Sequence, residues 1–348
     1  MKVTRVVATA GEQVRAAPVS DAMQTLDTNG SCRIAIATSE GVTGRSTIGF
    51  GRITGAPAVL AHLVNAELAP AVVGEDASMV RRIRDKLWRL TDYHGTAGLA
   101  LLGIAGIDIA LWDALGLASG QPVWRLLGGA RDRVPAYAMV GWLNFGLDEL
   151  GKQCQRAMAQ GFRGVKIKVG APTLEEDVRR IEKARAAVGP LTPVMVDANQ
   201  VFTVPEALRR GRVYEELGCF WFEEPLRADD GEGLAHLAHE LVIPIAAGEN
   251  TYGRRQFRRL LELRALDIVQ PDLRRAGGIT ECLEIGVMAD AFGVPYASHG
   301  GGAHLHVLAA LSNTMFVESG LLPDDGTVRL QDGCFLLPDE PGIGGGKG

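Results

Sequence analysis

PVMVDANQVFTVPEALRRGRVYEELGCFWFEEPLRADDGEGLAHLAHELVIPIAAGEN, residues 193–250, repeats one grammar. A short apolar run closes on a carboxylate, a helical stretch follows, and the next apolar run begins. The acids are Asp197, Glu223 and Glu249, each 26 residues after the last. That interval suits about one strand, one helix and two turns. An acid just past the strand in every unit places all three at the same end of a parallel barrel. Three convergent carboxylates repel one another unless a cation lies between them. The spacing thus predicts a barrel and a metal site together. Oxygen donors without His or Cys favour a hard divalent ion, Mg2+ ahead of Mn2+ or Ca2+.

The same grammar extends in both directions. VPAYAMVGW (134–142) reads as a strand followed by a helix over 147–160, and GVKIKVG (164–170) as a strand followed by a helix over 174–188. Thr173 and Glu176 open the latter as a capping box. Further helices follow over 204–217, 231–240 and 254–263. ALDIVQPD (265–272) precedes a helix over 277–291, VPYASHG (294–300) one over 302–312, and MFVES (315–319) comes last. Eight strands with seven intervening helices fit a closed barrel better than an open doubly wound sheet. The fold class is α/β, a (β/α)7β modified TIM barrel over 126–320 with an N-terminal α+β capping domain over 1–125.

Within the cap, KVTRVVATA (2–10) and SCRIAIATSEGVTGRSTIGF (31–50) alternate as antiparallel strands, with Gly41 and Gly44 at turn positions. APVSDAMQTLDTN (17–29) has no clean period and reads as a loop. Helical spacing covers 57–68, 78–90 and 96–118. The last helix is apolar nearly all round and should be buried, ending at Gly120 and Pro122. Residues 321–348 read as a C-terminal return to the cap with a frayed, glycine-rich tail.

The chain has 348 residues, 47% apolar and 22% charged, with a net charge of −5. No basic run is long enough for nucleic acid, and RRIRDK (81–86) reads as one exposed helix face. The N-terminus lacks the apolar core of a signal peptide, and no run of about 18 apolar residues predicts a membrane span. The cysteines, Cys32, Cys154, Cys219, Cys282 and Cys334, are odd in number and form no CxxC. Reduced thiols in the cytoplasm follow.

The other strand ends carry chemistry too. Lys166 and Lys168 lie two apart, on one side of an apolar strand, where an ammonium is costly without an anion nearby. A lysine beside a cation and a second lysine has its pKa pushed down, toward that of a general base. His299 ends strand seven, and Asp272 on the neighbouring strand can accept its Nδ1–H and orient the ring. The picture is two bases on opposite sides of one metal. A substrate carboxylate there places its α-carbon between them, and a cationic lysine with a proton-donating Glu318 steadies the charge that moves onto oxygen.

Taken together, the Lys-x-Lys of VKIKVG (165–170), Asp197-Ala-Asn199, FEEP with Glu223, AGEN with Glu249, QPDLRRAGG with Asp272, ASHGG with His299 and the late Glu318 form a specific set. Over nearly its whole length the chain resembles the mandelate racemase subgroup of the enolase superfamily. The resemblance implies Asp197, Glu223 and Glu249 as Mg2+ ligands. It implies Lys168 as base on one face and His299, with Asp272, on the other. Lys166, Asn199 and Glu318 would contact the substrate carboxylate or neighbouring oxygens, and the loop at 17–29 would close over the substrate. A large symmetric homo-oligomer is implied as well.

Two reactions suit this set: dehydration of an acid sugar, an aldonate or aldarate, to a 2-keto-3-deoxy acid, and mandelate-type racemisation or epimerisation of an α-hydroxy acid. The polar residues Ser20, Asp21, Gln24, Thr25, Asp27, Thr28 and Asn29 in the covering loop tilt the reading toward a polyol substrate. Asp21, Trp142, Asn144, His94 and Arg274 are candidate specificity contacts, with Arg274 equally able to serve as an ion-pair partner of Asp272. A non-catalytic scaffold has no chemical need for every member of the set.

Overall fold

The computed structural model describes residues 1–51, 55–323 and 330–344. The cap opens with a three-stranded antiparallel sheet, β1 (Val3–Ser20), β2 (Thr25–Thr38) and β3 (Thr43–Phe50). Its first two strands correct the expected loop at 17–29, most of which is strand. The long hairpin pairs Val14 with Thr28, Val19 with Leu26 and Ser20 with Thr25, and its register shifts between Val14 and Val19. A bulge moves the side chains after it to the other face, which erases the period-two signal. Only Asp21–Gln24 make the turn, where Asp21 Oδ1 accepts from the Met23 and Gln24 amides at 2.8 and 2.9 Å.

Gly41 does sit in a turn, with φ 76. Gly44 lies inside β3 instead. A Cβ there would fall 2.0 Å from the Ala110 carbonyl oxygen, so glycine lets helix Leu99–Ser119 press against the sheet. Among the described residues this helix alone is, by length and composition, apolar enough to cross a membrane. It is buried core, packed between the sheet and the barrel helices.

The same helix lends the barrel a cap. Helix Ile279–Ala291 starts after Gly277 and Gly278, whose φ of 119 and 98 break the single helix expected over 277–291 from a short turn at Leu273–Ala276. No side chain at its own N-terminus serves its first amides. Asp108 reaches over from the cap, and its carboxylate accepts from the Thr280 amide at 3.0 Å and from the Thr280 hydroxyl at 2.5 Å. Asp108→Ala is expected to cost about 1–3 kcal/mol, by loss of a cap and exposure of a buried amide to no partner. A urea midpoint equal to that of the parent protein would contradict this.

The barrel strands are β4 (Arg133–Gly141), β5 (Val165–Lys168), β6 (Val194–Asp197), β7 (Phe222–Glu223), β8 (Ile245–Ala247), β9 (Ile268–Val269), β10 (Tyr296–Ala297) and β11 (Thr314–Ser319). They pair parallel in sequence order, and β11 returns to β4 with Glu318 opposite Tyr137. A ring of helices from Leu147–Ala159 to His304–Ala310 covers the outside. Tyr137, Met195, Trp221, Ala246, Ile268 and Ala297 fill the interior. After β11 a small hairpin, β12 (Leu330–Gln331) and β13 (Cys334–Leu336), adds antiparallel to β4. The chain then meets the cap, where the Ile343 amide donates to Asp113 Oδ1 at 2.9 Å. Residues 345–348 of the tail lie outside the described residues.

Candidate active site

Period-two alternation collects the site. Interior residues are followed two positions later by functional ones: Met195 by Asp197, Trp221 by Glu223, Ala297 by His299 and Phe316 by Glu318. Lys166 and Lys168 line the same interior from β5, both buried. Glu249 breaks the rule, since Ala246 would be followed by residue 248. Gly248, with φ 142, resets the backbone so that Glu249 joins the cluster, and a Cβ on it would lie 2.9 Å from the Gln270 carbonyl carbon.

Asp197, Glu223 and Glu249 are all buried and each offers an oxygen within 4.8 Å of the others. Lys168 Nζ lies 2.5 Å from Asp197 Oδ2, and the Asn199 amide donates to Oδ1 at 2.9 Å. Arg275 donates to Glu249 Oε1 at 2.6 Å. Glu249 Oε2 and Asn199 Oδ1 are buried and have no hydrogen-bond partner. Unpartnered buried oxygens beside three clustered carboxylates fit a hard divalent cation.

The charges say the same. Burial and the neighbouring Asp197 lift the Glu223 carboxyl to about 8, against the pull of Lys166. Asp197 is also penalised by burial, yet Lys168 and Lys166 hold it below the ordinary carboxylate range. Glu249 is likewise penalised by burial yet held below the ordinary range by His299 and Arg275, so Glu223 is the member of the triad whose charge is opposed. Both lysines lie above their ordinary range, because the carboxylates outweigh burial. This departs from the expected depression. The expected depression belongs to lysines with a cation beside them, a different set of neighbours from the carboxylates that raise these two.

On the other side His299 Nδ1 lies 3.0 Å from Asp272 Oδ2, the dyad expected from the sequence. His299 Nε2 faces Glu249 Oε2 at 3.4 Å and Glu318 Oε1 at 3.8 Å. Burial alone would lower this imidazole; Glu249, Glu318 and Asp272 raise it to about 9. Lys166 Nζ bridges Glu223 Oε1 at 2.6 Å and Glu318 Oε2 at 2.5 Å. The structure thus gathers Lys166, Lys168, Asp197, Glu223, Glu249, Asp272, His299 and Glu318 around one centre.

The nominated specificity residues divide. Trp142 stacks over Lys168, with Nζ 5.5 Å from the ring centroid, and Asn199 lies against Asp197. Arg274 is the ion-pair partner of Asp272, at 2.5 Å. Asp21 spends its carboxylate on its own turn. Asn144 fastens the hairpin to the barrel mouth, accepting from the Ser20 amide at 2.8 Å and donating to the Pro18 carbonyl at 3.0 Å. His94 pairs with Glu67 inside the cap and does not join the centre. A cavity of about 920 Å3 opens beside the dyad, walled by Arg33, Thr47, Asp272, Arg274 and His299, and none of the three acids lines it.

Four residues went unread in the sequence: Tyr137, Trp221, Gln270 and Arg275. Arg275 sits in the quoted QPDLRRAGG, and Gln270 stands two before Asp272, so strand parity pointed to Gln270. Nothing local marked Tyr137 or Trp221 as more than core.

Comparison with known proteins supports the geometry. Residues 3–128 match the mandelate racemase / muconate lactonizing enzyme N-terminal domain, and residues 149–345 match the enolase C-terminal domain-like family. An arabinonate dehydratase of Saccharolobus solfataricus is 38% identical over 80% of this chain and 78% of its own length. A Streptomyces coelicolor racemase with bound magnesium superposes with TM-score 0.93 at 32% identity, covering 98% of this chain and 96% of that one. An L-talarate/galactarate dehydratase of Salmonella typhimurium, liganded with Mg and L-lyxarohydroxamate, gives TM-score 0.92 at 33% identity, covering 98% and 90%.

Proposed function

This chain belongs to the mandelate racemase / muconate lactonizing enzyme family of the enolase superfamily, and from that premise we propose that it dehydrates an acid sugar, an aldonate or aldarate, to a 2-keto-3-deoxy acid. The observation that carries the proposal is the two-ended approach to the acid cluster. Lys168 meets it at Asp197, and His299 meets it at Glu249. A proton can therefore leave one face of a substrate and a leaving group can be protonated on the other.

Asp197, Glu223 and Glu249 would hold Mg2+, which supplies Lewis-acid stabilisation to the substrate carboxylate as negative charge develops there. Lys168 Nζ or His299 Nε2, in its neutral form, removes the C2 proton, according to the configuration at C2. Lys166 and Glu318 hold the carboxylate end. Where Lys168 is the base, His299, protonated beside its acidic neighbours, gives its proton to the departing C3 hydroxyl; where His299 is the base, it passes on the proton it has just taken. Loss of that proton and hydroxyl is loss of water, and the enol left behind becomes the 2-keto group. Arg180 steadies the surrounding loop, donating to the Trp142 and Phe145 carbonyls at 2.8 Å each. The cap at 1–125 and the barrel at 126–320 act as lid and reactor. We place the enzyme in the cytoplasm as a homo-oligomer, a reading that its five free, buried thiols support for the compartment.

A library of mono- and diacid sugars, incubated with Mg2+ and trapped with semicarbazide, tests this. At least one acid is expected to give a 2-keto product. Exchange of the α-proton with deuterated solvent, with no keto product from any acid, would instead make the enzyme a racemase or epimerase.

A further inference from the structure

Gln270 is an odd choice for its place. It is fully buried in the barrel, against an interior layer of largely apolar side chains. Its Nε2 donates to Glu223 Oε2 and to the Tyr137 hydroxyl, both at 2.9 Å. Its Oε1 is buried with no partner. A leucine or methionine would fill the space without stranding an acceptor, so packing does not explain the amide.

The contacts around it close a ring. Tyr137 donates its one hydroxyl proton to Glu318 Oε2 at 2.7 Å. Glu318 Oε2 meets Lys166 Nζ, and Lys166 returns to Glu223 Oε1. Trp221 Nε1 adds a second donor to Glu223 Oε2 at 3.2 Å. Glu223 is therefore split by its environment: Oε2 is occupied by two donors, and Oε1 meets Lys166. The amide orientation follows as well, since turning Gln270 over would set its carbonyl against the carboxylate.

We propose that Gln270 is a positioning residue that fixes the Glu223 carboxylate, at Oε2, for the divalent ion it would hold and, through Tyr137, adds a second link from that ligand to Glu318 beside the direct one made by Lys166. The proposal rests on the acid triad being the Mg2+ site. Loss of such an outer partner typically lowers metal affinity about 10–100-fold.

The test is calorimetric titration of Mg2+ into substrate-free protein, with kcat and KM measured alongside on whichever acid sugar the parent turns over. Gln270→Met keeps the volume and removes both donors; it is expected to weaken Mg2+ at least about tenfold with its melting temperature in the absence of metal nearly unchanged. Tyr137→Phe keeps the ring, and is expected to hold Mg2+ affinity near the parent's while kcat falls, because Glu318 Oε2 loses the hydroxyl donor that holds it beside Lys166. Where Gln270→Met folds poorly, Gln270→Asn keeps the amide but is too short to span both partners, and the same loss of affinity is expected. A folded Gln270→Met or Gln270→Asn that binds Mg2+ as the parent does would overturn the proposal. Parent protein that binds no Mg2+ would overturn the triad itself, a separate result.

Discussion

His299→Asn is expected to lower turnover about 10²–10⁴-fold while the protein keeps its fold, the range usual for a lost general acid–base group. Asparagine retains a donor for Asp272 Oδ2, so the dyad's anchor keeps a hydrogen bond. What disappears is the imidazolium, held protonated by Glu249, Glu318 and Asp272. Only the Lys168 face remains. A substrate whose C2 proton points to Lys168 should still exchange it with deuterated solvent, yet fail to lose its hydroxyl. A substrate of opposite configuration should do neither. Circular dichroism and the melting temperature check the fold, and the semicarbazide assay checks turnover. An active His299→Asn variant would refute the two-face mechanism.

Removing divalent metal is the second large effect. Chelation is expected to abolish turnover reversibly and to lower the melting temperature, with Mg2+ restoring both. The reason lies in the triad. Burial and Asp197 raise the Glu223 carboxyl to about 8, so its charge beside Asp197 and Glu249 is opposed by repulsion. A cation relieves that repulsion and is bound by the folded chain alone. At 100 times its dissociation constant, such a ligand adds about 2.7 kcal/mol to stability. Turnover that survives exhaustive chelation would rule out the metal role. Aspartate and glutamate ligands discriminate little among hard cations, so Mn2+ is expected to substitute in part.

Much of this molecule was readable along the chain. The eight barrel strands, most of the helices between them, the acid triad and the Asp272–His299 pair all follow from local patterns: apolar runs of strand length, helical spacing, and a charged residue at each run's end. Such features depend on a few consecutive residues, and each strand end supplies its own signal. The errors fall where that signal is absent. The 17–29 segment looked irregular because a bulge moves its side chains from one face to the other. Gly44 passed for a turn residue, when its role is to admit a helix 66 positions away at Ala110.

Sequence order and chemistry determined the barrel, the acid triad and the two residues proposed as bases. Contacts between distant strands decided how those groups are held. Glu223 is oriented by Trp221 on its own strand, but also by Gln270, 47 residues on, which Tyr137 joins to Glu318. Asp108 caps a helix 172 residues later. Hydrogen bonds of this range leave no periodic trace, since each partner alone is an ordinary core residue. Only closing the barrel brings them within 3 Å, and there the fine geometry of the acid cluster is set.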